Sequence, residues 1–246
     1  MTRICTALVA IAVLAGCGGG DENTLRVSAA ASLKTALEDY GGAFDAADVS
    51  FSFAGSDELA AQIRKGGRPD VFAAANTKLP AQLYEEGLVE RPITFAANRL
   101  VVALPAGSDR FRTLGDLGRA GVRIAAGSAS VPVGAYTREV LARLGGRVAR
   151  AIEINIRSNE PDVSGVVGKV SQGAVDAGFV YATDVRASGG RLQAIEIPRE
   201  LRPNVSYGAA VVKGTPHRAQ ARTFVEGLLG GTGQQSLRRA GFEAPR

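Results

Sequence analysis

The chain is short of the residues that most often carry chemistry. Its 246 residues include two cysteines, one histidine, one methionine and no tryptophan. Cys5 lies in an apolar leader, which leaves Cys17 alone in the remainder. A lone cysteine forms neither an internal disulfide nor a thiolate metal cluster. His217 is the single histidine, and the carboxylates are dispersed in no cation-ligand spacing, so a protein-held metal centre is not expected. A serine triad would have to use His217, which follows Thr215-Pro216 at a helix start. The Gly127-Ser128-Ala129-Ser130 loop is not a Gly-x-Ser-x-Gly elbow, so a secreted esterase using His217 is a remote alternative. There is no phosphate loop of the Gly-x-x-x-x-Gly-Lys-[Ser/Thr] type and no Gly-x-Gly-x-x-Gly after a strand, which argues against nucleotide binding. Although the formal charge is +5, it comes from scattered arginines without a basic run or an aromatic platform. Nucleic-acid binding is therefore unsupported.

Only one long apolar run is present, at the N-terminus. Arg3 precedes Ile4 to Leu14, and Leu14-Ala15-Gly16-Cys17 follows. The run is too short to span a bilayer and fits a secretory leader over residues 1–17. Its last four residues resemble the bacterial lipoprotein cleavage box, which implies lipidation of Cys17 as the first mature residue. Residues 18–24 begin with three glycines and read as a flexible tether. The rest is expected to lie outside the cytoplasmic membrane, on a lipid anchor, in a periplasmic or cell-wall space.

Beyond the leader, 46% hydrophobic and 22% charged residues over this length predict a packed protein of one or two domains. Strand-like and helix-like stretches alternate, which is the pattern of an α/β fold with largely parallel sheets. Strands are expected at Leu25–Ala29, Val49–Ala54, Val71–Ala75, Asn98–Leu104, Val122–Ala126, Ile152–Arg157, Ala177–Tyr181, Leu192–Ile197 and Tyr207–Val212. Two sets of similar size suggest two lobes with a cleft between them. Residues 25–104 plus 200–246 are assigned to lobe one and 105–199 to lobe two, with the C-terminal helices packing back on lobe one.

Small-residue loops entering helices recur. Val27 to Leu33 runs from a strand into a helix, which puts Ser32 at an N-cap position. Ser56 follows Phe53-Ala54-Gly55; Val131-Pro132-Val133-Gly134 leads into the Tyr136 helix; Pro161-Asp162-Val163 leads into the Val166 helix. Each places unpaired N–H groups at a positive helix end. One such start is ordinary capping, whereas four facing a single cleft would form an anion site.

At these loops the chain resembles the periplasmic molybdate-binding proteins of ABC transporters, which have a type II periplasmic-binding-protein fold. The matching motifs are Ala29-Ala30-Ala31-Ser32-Leu33, Phe53-Ala54-Gly55-Ser56 with Leu59-Ala60-Ala61-Gln62-Ile63, Pro69 to Ala75, Val131 to Tyr136, Asp162-Val163, and Gly178 to Asp184. They run in order through about residues 25 to 212. The resemblance implies a non-enzymatic receptor without a cofactor, closing on molybdate, or tungstate, and presenting it to an ABC permease as a monomer. It implies hydroxyl and backbone donors from Ser32 and Ser56, backbone N–H groups from Val133 and Val163, and the phenol of Tyr181. Molybdenum would be held only as its oxyanion, with no side chain ligating the metal. A tetrahedral dianion without a proton calls for donors only. Sulfate and phosphate are the alternative ligands. Asp57 and Glu58 depart from the serine or threonine expected after Ser56. Acids suit a first helical turn, but an inward Asp57 would instead accept the proton of hydrogen phosphate.

Overall fold

A computed structural model describes residues 23–245. The leader, Cys17 and most of the tether lie outside the described residues. Thr24, expected in the tether, already belongs to the first strand.

The elements in order are β1 (Thr24–Ala30), α1 (Lys34–Gly41), β2 (Asp48–Ala54), α2 (Ser56–Arg64), β3 (Val71–Ala74), α3 (Lys78–Glu85), β4 (Ile93–Asn98), β5 (Leu100–Pro105), β6 (Ile124–Gly127), α4 (Pro132–Leu144), α5 (Gly146–Asn155), β7 (Ile156–Glu160), α6 (Val163–Ser171), β8 (Ala177–Tyr181), α7 (Ala182–Ala187), β9 (Leu192–Glu196), β10 (Val205–Val211), α8 (Arg218–Gly227) and α9 (Gly231–Ala240). They form two five-stranded sheets, β2-β1-β3-β10-β4 and β7-β6-β8-β5-β9. In the first, β2, β1 and β3 pair in parallel, while β10 runs antiparallel to both β3 and β4. In the second, β7, β6 and β8 pair in parallel, while β5 runs antiparallel to β8 and β9. In each sheet four strands share one direction and the fifth is reversed. That reversed strand is the one delivered by the crossover from the other sheet. The result is a two-lobed α/β fold.

The first crossover is a single residue. Asn98 ends β4, a strand that was not expected, and Leu100 begins β5. The strand expected over 98–104 is β5, with its first residue belonging to the other sheet and Arg99 between. The expected boundary after residue 104 accordingly falls at the end of a strand of the second sheet. An apolar run on both sides of Arg99 hides this break from the sequence.

Residues 152–155 differ more sharply. The alternation Ile152, Ile154, Ile156 reads as a strand, but α5 runs to Asn155 and β7 starts at Ile156. Ala149, Ile152 and Asn155 face inward at helical spacing, and Ile154 is 67% exposed. The Asn155 amide donates to the carbonyls of Leu117 and Arg119, both at 2.8 Å, which fastens the helix end.

The C-terminal helices pack on the first lobe. Phe224 of α8 stacks on Tyr40 of α1 at 4.6 Å between ring centroids, and Glu243 bridges to Ala97 of β4. One apolar core runs through both sheets, with a smaller one holding α2 and α3 through Leu59, Ile63, Phe72 and Leu83. Each fully buried side chain of this size contributes about 1.5–3 kcal/mol. That rigid frame holds the loops at the strand ends, where the lobes meet.

Candidate functional site

The helix-entering loops converge on one small cavity between the lobes. It is lined by Ala30, Ala31, Ser32, Ala54, Gly55, Ser56 and Ala75 of the first lobe. The second lobe supplies Val131, Pro132, Val133, Asp162, Val163 and Tyr181. Its volume open to water centres is about 20 Å³, which suits a small compact group and not a sugar or an amino acid. A larger groove of about 300 Å³, between Arg26, Ser50, Gln62 and Arg68, lies wholly on the first lobe. All five residues singled out from the sequence, Ser32, Ser56, Val133, Val163 and Tyr181, line the interlobe cavity.

Neither serine is a cap. The first helical turn is a 3-10 piece, Ala31–Leu33, whose N-cap is Ala30, so Ser32 lies inside it. Its hydroxyl is 3.0 Å from that of Tyr207. Ser56 is the first residue of α2, behind the N-cap Gly55. Its Oγ accepts the Ala75 N–H at 3.1 Å, leaving its own proton to be donated elsewhere. Long-range bonds thus take the place of the expected capping bonds and hold both hydroxyls at the cavity.

The second lobe contributes helix starts. Val131 is the N-cap of α4, with Pro132 and Val133 in its first turn. Asp162 caps α6 by accepting the Gly165 N–H at 3.1 Å, and Val163 is the first helical residue. N–H groups at these positions have no partner within their helix and sit at its positive end. The valine side chains are buried, so what these positions can offer a ligand is their backbone N–H groups, whatever the side chain.

Tyr181 ends β8 and is 1% exposed. Its N–H donates to Asp184 Oδ2 at 2.8 Å, while its hydroxyl has no hydrogen-bond partner among the described residues. Burial pushes the phenol well above its ordinary pKa, so it stays protonated and able to donate. A buried donor left without an acceptor costs about 1–3 kcal/mol. It sits where an oxyanion would relieve that cost.

At Gly55 the backbone of one lobe meets the other lobe beside the cavity. A Cβ on Gly55 would come within 3.0 Å of the Pro161 carbonyl oxygen and 3.5 Å from Val131, both of the other lobe. Asp57 and Glu58 are not among the lining residues. Glu58 is exposed and takes the Gln62 amide at 3.3 Å. Tyr207, Asn98 and Thr183, linked by hydrogen bonds behind Ser32, are not legible in the sequence, because they occur in apolar or motif stretches where nothing marks a polar role. No imidazole lines the cavity, and His217 Nδ1 lies 3.3 Å from Asp70 Oδ1. Asp162 is the one carboxylate residue of the lining, and Asp57 Oδ1, buried without a hydrogen-bond partner among the described residues, lies against Gly55.

Residues 25–243 match the family described as bacterial extracellular solute-binding proteins. The chain belongs to that family. It is 35% identical to the molybdate-binding protein ModA of Mycobacterium tuberculosis over 225 residues, 89% of this chain and 84% of the relative. Among solved structures, the periplasmic molybdate-binding protein of Azotobacter vinelandii aligns with a TM-score of 0.81 at 24% identity, covering 90% of this chain and all of that one. The sulfate-binding protein SubI of M. tuberculosis aligns at 0.79 and 19% identity, covering 90% and 87%. At these identities the two structures speak for the fold alone. The family is one of transport receptors, so this member is a binding protein and not an enzyme, and its cargo is a ligand rather than a cofactor.

Proposed function

We propose that the protein captures molybdate, and tungstate with it, outside the cytoplasmic membrane and hands it to an ABC permease. The observation that carries this reading is the buried, unpartnered hydroxyl of Tyr181, a residue that lines with Ser56 and Ser32 a cavity entered by helix N-termini from both lobes. Ser32 and Ser56 donate from one side. The N–H groups of Val133 and Val163 and the Tyr181 phenol donate from the other. Neutral donors and helix ends balance a dianion's charge without a buried arginine. Asp162, the one carboxylate residue of the lining, spends Oδ1 on Gly165. Such a cage favours an anion that carries no proton, which disfavours hydrogen phosphate. The relative named ModA supports molybdate over sulfate; the fold by itself serves receptors of both kinds.

Binding from both sides favours the closed arrangement of the lobes, and the permease would recognise the closed surface. Residues 24–98 with 203–245 form lobe one in this reading, and 100–200 lobe two. Cys17 carries the lipid that keeps the receptor, a monomer, near the membrane.

Calorimetric titration of the chain beginning at Asp21 with molybdate, tungstate, sulfate and phosphate tests the assignment. Molybdate and tungstate are expected to bind tightest. Tighter binding of sulfate or phosphate would transfer the protein to that ligand, and heat from none of them would end the oxyanion reading.

A further inference from the structure

A serine hydroxyl accepts as readily as it donates, and only a donated proton helps a ligand that has none. At Ser32 the direction is set from behind. Asn98, buried at the end of β4, takes the Arg99 N–H on Oδ1 at 2.8 Å, which fixes the orientation of its amide. Its Nδ2 then faces Thr183 Oγ1 at 2.9 Å and the Tyr207 hydroxyl at 3.4 Å. An amide nitrogen donates only, so the Tyr207 oxygen accepts from Asn98. Tyr207 is 0% exposed, out of reach of bulk water, and its own proton needs an acceptor; Ser32 Oγ, at 3.0 Å, is the one its position offers. With the Tyr207 proton on its oxygen, Ser32 directs its own proton into the cavity that it lines.

We propose that Tyr207, oriented by Asn98, is a positioning residue that locks the Ser32 hydroxyl as a donor and so biases the cage toward oxyanions that carry no proton. The inference rests on the oxyanion reading above and adds to it a source of discrimination outside the cavity. Burial keeps the phenol protonated, as a donor requires. The relay also straddles the crossover: Asn98 ends a strand of the first sheet, Arg99 leads into the second, and Thr183 belongs to α7 beyond it. The donor set of one lobe is therefore tied to the segment that joins the two sheets.

A double-mutant cycle on the full-length protein in detergent, titrated with molybdate, separates this role from a packing one. Tyr207→Phe keeps the ring against Phe95, Tyr181 and Phe242 and removes only the hydroxyl. It is expected to weaken molybdate binding about tenfold, as is Ser32→Ala. The double variant should bind no worse than Ser32→Ala alone, because no hydroxyl remains to be oriented. Asn98→Asp reverses the relay: its carboxylate accepts from Tyr207, which then accepts from Ser32. Molybdate should weaken while hydrogen phosphate gains relative to it. That variant carries the same test should Tyr207→Phe fold poorly. Wild-type affinity in a folded Tyr207→Phe protein, or fully additive losses in the double variant, overturns the relay alone. Absence of wild-type binding to molybdate, tungstate and sulfate alike overturns the proposed function and this inference with it.

Discussion

Gly55 and Pro161 meet across the cleft so closely that no side chain fits between them. A Cβ at Gly55 would stand within 3.0 Å of the Pro161 carbonyl oxygen and 2.9 Å from Asp57 Oδ1. The Gly55 backbone, at φ −60° and ψ 135°, is one that any residue adopts. Glycine is required here by the neighbouring lobe rather than by its own conformation. Gly55→Ala should therefore resist closure. We expect at least about a tenfold loss of molybdate affinity and no ligand-induced compaction in small-angle scattering. Retained compaction would show that closure tolerates a methyl group at this contact.

Tyr181 gives a prediction with opposite signs for two measurements. Its hydroxyl is buried without a partner, so removing it relieves the ligand-free protein of an unpaired donor. Tyr181→Phe should melt no lower than the parent without ligand, yet lose about 1–3 kcal/mol of oxyanion affinity. A simple core tyrosine predicts no change in affinity, and calorimetry decides between the two.

The positions of these groups were partly legible in the sequence, and the reason lies in what each group uses. Helix starts after small-residue loops announce themselves at Ser56, Pro132 and Val163, because glycine, proline and polar residues punctuate the chain there. What the hydroxyls bond to was not legible. Ser32 and Ser56 look like caps, and only the fold brings Tyr207 to one and the Ala75 N–H to the other, 175 and 19 residues away. The turn from β4 to β5 was hidden for a related reason: Arg99 sits inside an apolar run, and the break is a change of sheet, not of hydropathy. At residues 152–156 two periodicities competed. Isoleucine at every second position imitates a strand, while burial of Ala149, Ile152 and Asn155 follows the helix.

Ser56 is expected to matter twice. Its oxygen satisfies the Ala75 N–H in a buried setting, and its proton remains for the ligand. Ser56→Ala therefore leaves an N–H unpaired and deletes a donor, each costing about 1–3 kcal/mol. Both the melting temperature without ligand and the oxyanion affinity should fall. Ser56→Thr, which keeps the hydroxyl, should recover most of the melting temperature. If Ser56→Ala lowers only the melting temperature, its hydroxyl has no part in ligand binding.

Asp184 makes stability depend on pH. Its Oδ2 accepts the Tyr181 N–H at 2.8 Å. Burial, reinforced by the Asp162 charge and opposed by that hydrogen bond, raises its carboxyl from 3.8 to about 7. The folded protein then holds this proton more tightly than the unfolded chain does. The stabilisation is complete below the unfolded value of 3.8 and is lost as pH rises toward about 7. Asp184→Asn keeps an acceptor for the Tyr181 N–H and carries no charge, so it removes the dependence. Measured by thermal melting, the variant should gain on the wild type between about pH 4 and about pH 7, with the difference levelling off above that range. An equal difference at both ends would mean that Asp184 ionises as freely in the fold as out of it, and that water reaches the carboxyl beside the Tyr181 backbone.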